Sequence, residues 1–273
     1  MKLRQVPARE GVQWARQGLR VVMSRPLSFM GLFGVVLLGM LIVQILGWLG
    51  SLLLWACLPL ITLGFMIATR MTLQGATPTF QVFAAPLRVG PERSKAMWQL
   101  GAMYAGVMLL IVLVHGWIDD GRMAALQVAA TSGKNSPESI GPLVGDPRLQ
   151  GGLLWFAAAA AVLSVPFWHA PALVHWGGHT AAKALFSSTV ACWRNKGAFF
   201  LYALTGVGAV SAFALVSSLV FALLGVPNLA AVVMMPAVLF FTVVFYASLY
   251  FTYAGCFEQP PDDATPTPQE PAP

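Results

Sequence analysis

An all-α integral membrane protein with six transmembrane helices is the fold class this sequence predicts, and three observations predict it. Of its 273 residues 58% are hydrophobic and only 10% are charged, whereas a soluble domain carries about 25% charged residues. Too few charges remain to cover a water-facing surface. The uncharged runs are also long: 44 residues separate Arg25 from Arg70, and 61 run from Gly197 to Phe257. Each run is enough for two spans of about 20 residues. Finally, Lys and Arg are segregated along the chain, which the net charge of +6 conceals. A nucleic-acid partner would need those basic residues clustered on a soluble domain, and no such domain is present.

The elements follow in order. Residues 1–26 are basic and contain GVQWARQGLRVVMS, in which Val12, Ala15, Leu19, Val22 and Met23 share one side of a helix. Gln13, Arg16, Gln17, Arg20 and Ser24 share the other. That pattern predicts an amphipathic helix lying in the membrane interface, with Trp14, Arg16 and Arg20 as anchors. Arg25-Pro26 ends it, because a residue before proline is pushed out of helical geometry. The membrane domain, 27–257, then contains spans at about 27–46, 49–68, 96–117, 151–174, 198–224 and 229–253. Gly47–Gly50 and Gly225–Asn228 supply the tight turns. Residues 119–150 read as a loop with a short helix over 121–131.

Between the fourth and fifth spans, HTAAKALFSSTVACWRNKGAFF predicts a second interfacial helix. Ala182, Leu185, Phe186, Thr189 and Trp193 fall on one side; His179, Lys183, Ser187 and Arg194 fall on another. Each half is then an interfacial helix followed by a two-span hairpin, a weak two-fold internal repeat. The competing reading is that any basic helix beside a membrane looks alike. The tail, 258–273, has six prolines and four acids and cannot bury enough apolar surface to fold, so disorder is expected.

Connecting segments on one side hold thirteen Lys and Arg residues, whereas the other side holds Arg122, Lys134 and Arg148 against Asp119, Asp120, Glu138 and Asp146. By the positive-inside rule both termini are predicted to be cytoplasmic.

FWHAPALVHWGGH, from Phe167 to His179, concentrates three of the four histidines. His169 and His175 are rotated about 120° apart on an ideal helix, and the Gly177-Gly178 pair interrupts the helix between His175 and His179. No carboxylate lies between Asp146 and Glu258, so a catalytic metal site with an ordering outer shell has no support. The three cysteines are far apart and make no ligand spacing. No metal or cofactor is expected. The plainer reading is a helix end at head-group depth, with Trp168, Trp176 and Trp193 in the aromatic belt. A sharper one is an anionic head-group pocket formed by His175, His179, Lys183 and Arg194. His115 and Asp119, four apart, read as a hydrogen-bonded helix end on the opposite face.

No Asp, Glu, Lys or Arg falls inside a predicted span, although proton- or ion-coupled transporters place ionisable groups there. Thr205, Gly208, Ala209 and Ala212 form a small-residue stripe that predicts close helix packing. A polar cavity joining Gln44, Thr62, Thr205 and Thr242 would instead speak for passage of a solute. No catalytic triad, carboxylate pair or phosphate-binding loop is present, so no enzyme is expected.

The stretches PARxGxxWxRQG near the start and FWHAPALVHW…KALFSSTVACWRNKGAF in the middle resemble a family of betaproteobacterial inner-membrane proteins with no established activity. The resemblance covers the chain from about Val6 to Phe257 and implies a bacterial cytoplasmic-membrane location. It carries over no catalytic residue. The expectation is a non-enzymatic membrane component that binds lipid head groups or a membrane-protein partner at its cytoplasmic face. The alternative is a passive or weakly coupled transporter of a small solute.

Overall fold

The computed structural model describes residues 2–132, 137–226 and 228–258; the tail expected to be disordered lies outside them apart from Glu258. Among the described residues the chain is helical, with β-structure limited to a bridge between Leu3 and Phe257. The helices are α1 (Glu10–Ser24), α2 (Pro26–Gln44), α3 (Trp48–Leu73), α4 (Pro91–Asp119), α5 (Arg122–Thr131), α6 (Pro137–Val144), α7 (Pro147–Phe167), α8 (Ala170–His175), α9 (Ala181–Arg194), α10 (Lys196–Leu223) and α11 (Asn228–Cys256). Six are long and apolar enough to cross a membrane: α2, α3, α4, α7 continued by α8, α10 and α11. The protein is an all-α, multi-pass membrane protein. Pro26, Pro91 and Pro147 open their helices, where a missing N–H costs nothing.

One end of the bundle, the basic face, collects the segments around Leu3 and Phe257 together with α1, α8 and α9. There the Arg4 N–H donates to the Cys256 carbonyl at 2.8 Å and the Glu258 N–H to the Lys2 carbonyl at 3.0 Å. Asn195, buried between α9 and α10, accepts the Val6 N–H at 2.9 Å and donates to the Arg4 carbonyl at 3.1 Å. Arg25, at the α1–α2 corner, donates to the Gly75 carbonyl at 2.8 Å. At the opposite end, the Asp119 carboxylate accepts the Met123 N–H and caps α5. The ion pairs Arg122–Asp146 (3.2 Å) and Arg148–Asp120 tie α4 and α5 to α7. This corrects the expected His115–Asp119 hydrogen bond: the carboxylate is spent on the cap, and the buried His115 Nδ1 has no partner among the described residues. The loop reading of 119–150 also overlooks α6.

α1 buries a different face from its most hydrophobic one. Its buried residues are Gly11, Trp14, Gly18, Val21 and Val22, one position round from the face expected to enter lipid. It docks along α10 and α11 through that face. A Cβ at Gly11 would sit 1.9 Å from the Ala198 carbonyl oxygen, and one at Gly18 2.5 Å from Ser248 Cβ. Backbone approach through glycine therefore sets the contact, and a hydrophobicity pattern does not register it. α9 buries Ala181, Ala184, Ser188, Ala191 and Cys192. These positions repeat those of α1 at a constant offset of 170, and α10 starts 170 residues after α2. The two docking sites differ, however. α9 packs on α7, α8 and α4, with little contact to the hairpin that follows it.

Candidate functional site

The Phe167–His179 stretch forms the break between α7 and α8. Ser188 of α9 inserts into this break. Its hydroxyl donates to the Val165 carbonyl at 3.0 Å and accepts the His169 N–H at 3.0 Å. It thus bridges the two backbone groups, four residues apart, that a continuous helix would pair directly. A side chain entering the i→i−4 ladder is a recognised cause of kinks. His169 itself is fully buried and lies 3.2 Å from Thr252 Oγ1, through Nε2. Thr252 also accepts the Trp168 indole N–H at 3.1 Å. His169 faces Phe199, Tyr253 and Phe257, which makes it a core histidine locking α8 to α11.

The four residues read as a head-group pocket are not all brought together. Lys183 and Arg194 lie eleven residues apart on α9, about 16 Å along a straight helix. Arg194 is near the N-terminal segment, its carbonyl accepting from Gln5 at 3.4 Å. Lys183 is close enough to act on His179. Burial, and then the Lys183 ammonium, push the His179 imidazole below its ordinary range. His175 faces inward, and its carbonyl accepts from Arg93 at 3.0 Å. Arg70 lies over the Trp176 ring at 5.7 Å. Arg70 and Arg93 were assigned no role by the sequence; their spacing to the motif, across two spans, carries no local signal.

The expected anchors divide. Trp14 is 2% exposed and contacts Gly255, Phe199 and Tyr202; it is a core residue, because α1 turns that face to protein. Trp168 is also turned inward, edge-on to Phe199, Tyr202 and Phe245. Trp176 lies against Tyr250 and Tyr253. Trp193, at 73% exposure, and the exposed Arg16 and Arg20 stay on the surface. Cys192 offers no nucleophile: burial pushes its thiol up to about 12, eased by Ser188.

A cavity of about 980 Å³ lies beneath α1 and α9, between α7, α10 and α11. α7 and α10 flank it without packing closely on each other. That volume is at the top of the about 300–1,000 Å³ of small-molecule sites. Its walls include Val165, Phe200, Val207, Val238 and Phe241, and the exposure of Phe200 (67%) and Val207 (65%) marks it as open sideways. Thr205 and Ala209, from the small-residue stripe, line it. No described helix of this chain packs on the rest of the stripe: Gly208, Ala209 and Ala212 are exposed, and a Cβ at Gly208 would meet nothing. Hydroxyls along the wall are committed to their own helices, Ser164 to Ala161, Thr205 to Leu201 and Thr242 to Val238. Of the residues that would mark a polar path, Thr205 and Thr242 both line the cavity, but Gln44 and Thr62 do not join them. Gln44 accepts from Ser51 at the far turn, and Thr62 lines a separate chamber of about 170 Å³.

Along its length the chain is similar to a probable inner membrane protein of Burkholderia thailandensis, 33% identical over 259 residues that cover 94% of each chain. No family model matches the chain. No solved structure matches it.

Proposed function

The chain belongs to the family of that Burkholderia thailandensis protein, and on that premise we propose that it is a multi-pass component of the bacterial inner membrane that binds lipid at its basic face, without catalysing a reaction. One observation carries this reading: the cavity of about 980 Å³ is apolar, open to the side, and roofed by the two basic amphipathic helices. A site for a polar solute needs unspent polar groups along its length, whereas Ser164, Thr205 and Thr242 donate to their own helices and the cations Arg16 and Lys196 sit at the basic end. Lipid has the matching chemistry, an apolar chain beneath an anionic head.

The test is extraction in a mild detergent followed by native mass spectrometry and lipid analysis. Bound lipid enriched over the bulk membrane composition is expected. A lipid profile equal to the bulk membrane would discard the reading. Passive movement of a small solute has one feature in its favour, the chamber bounded by Thr62, Tyr104 and Tyr246. Flux through reconstituted vesicles separates the two readings.

We also assign the basic face to the cytoplasm, on the distribution of Lys and Arg. In a background lacking Cys57, Cys192 and Cys256, Gln127→Cys should label from outside spheroplasts and Glu258→Cys only after permeabilisation. The reverse pattern would invert the topology.

A further inference from the structure

We infer that the cavity under α1 and α9 binds one anionic phospholipid, with an acyl chain between α7 and α10 and its phosphate held by Arg16 and Lys196. The inference rests on the lipid-binding reading above and makes it specific. Arg16 and Lys196 both line the cavity, and no carboxylate does. Among the described residues, neither forms an ion pair with an acid. Lys196 lies over the Trp193 ring at 5.4 Å, a weak station for an ammonium at the surface compared with a phosphate. Both cations are exposed, so an anion reaches them without displacing buried structure.

The depth matches one leaflet. Along α10 the lining runs from Lys196 to Ser211, fifteen residues or about 22 Å. α10 spans Lys196–Leu223, so the lining stops near its middle. A bilayer core is about 30 Å thick, which puts half-way down a spanning helix near the midplane, where an acyl chain ends. A soluble anion would use the cations and leave the wall below them empty. A neutral lipid would use the wall and leave the cations unpaired. The combination fits an anionic phospholipid. The small residues on this face of α10, Ala203, Thr205, Gly206 and Ala209, are what keep the space open.

The experiment is native mass spectrometry of the purified full chain with phosphatidylglycerol or phosphatidylcholine added. Wild type should retain one phosphatidylglycerol with roughly tenfold or greater preference over phosphatidylcholine, given two cations near one phosphate. Arg16→Gln with Lys196→Gln should erase the preference. Gly206→Trp should remove the retained lipid altogether, because a Cβ there meets nothing and the indole would enter the cavity. Gly208→Trp, equally open but absent from the lining, should bind as wild type does and shows that α10 tolerates the substitution. Glycerol 3-phosphate at millimolar concentration should leave the lipid bound; displacement would make the site a phosphate site and overturn the inference. If wild type retains lipid and both the charge and Gly206 variants retain it equally, the inference fails while lipid binding stands. If wild type retains none, both fail.

Discussion

α1 and α9 bury residues at the same five positions, 170 residues apart, yet use those positions for different chemistry. Gly18 of α1 corresponds to Ser188 of α9, and Trp14 to Ala184. In α1 the glycines bring backbone against backbone, and the one large side chain, Trp14, fills the space beside Gly255. In α9 the small residues bring the helix close, and a hydroxyl then repairs the broken α7–α8 ladder. One spacing thus serves packing in the first half and hydrogen bonding in the second. Burial period reports that a helix docks; residue type at each buried position reports on what.

Removing the glycine contacts is the strongest way to break this comparison. In Gly11→Leu with Gly18→Leu, side chains would collide with Ala198 and Ser248, atoms fixed in helices and not at flexible side-chain ends. Overpacking costs about 1–3 kcal/mol per site, and undocking α1 would also expose Trp14, Val21 and Val22. Loss of monodisperse protein on size exclusion is expected. A variant that elutes and melts like wild type would mean α1 does not depend on backbone contact. Trp14→Ala should come next, at about 3–5 kcal/mol for emptying an aromatic core site, read as a lowered unfolding midpoint in detergent. A change under about 1 kcal/mol would return Trp14 to the bilayer surface.

The matching probe on α9 is Ser188→Ala. It removes the group that satisfies both the Val165 carbonyl and the His169 N–H, so a loss of about 1–3 kcal/mol is expected. Ser188→Thr keeps the hydroxyl and should recover part of it. If alanine and threonine behave alike, the hydroxyl bridge is not what holds the kink, and α9 docks by shape as α1 does.

The difference between the two helices also explains what was legible in the sequence. Six spans were readable because each is a contiguous run without charge, a property of neighbours in the chain. The amphipathic helices were readable as helices, but the face of α1 that docks on protein lies one position round from its most hydrophobic side. Hydrophobicity gives Gly11 and Gly18 little weight, although the absent side chain is what brings α10 and α11 so close. The motif histidines drew attention by composition, whereas Ser188, Thr252 and Asn195 do the holding and look ordinary in sequence. Cation partners of the motif, Arg70 and Arg93, come from α3 and α4, so no local pattern joins them to it. The cavity was missed for a related reason: small residues on α10 predict a close neighbour, and here they leave room instead.

The finest probe lies just before the two helices, where Arg9 in the first half stands at the position of His179 in the second. His179 is held below its ordinary range by burial and by Lys183. An imidazole whose folded pKa is depressed favours the neutral form, so its contribution to stability is present above the unfolded value, about 6.5. It is lost as pH falls through the folded value. Lowering the pH from 7.5 to 6.5 should therefore add less charge at His179 than an unperturbed imidazole would gain over that window. Lys183→Gln removes the smaller cause and leaves the larger, burial. The imidazole should then titrate higher, but still under 6.5, in NMR spectra of histidine-labelled protein in micelles. A His179 that titrates at or above 6.5 in wild type would place it beside an anion instead of a lysine. It would also restore the histidine as a charge at the membrane surface, in the manner of Arg9.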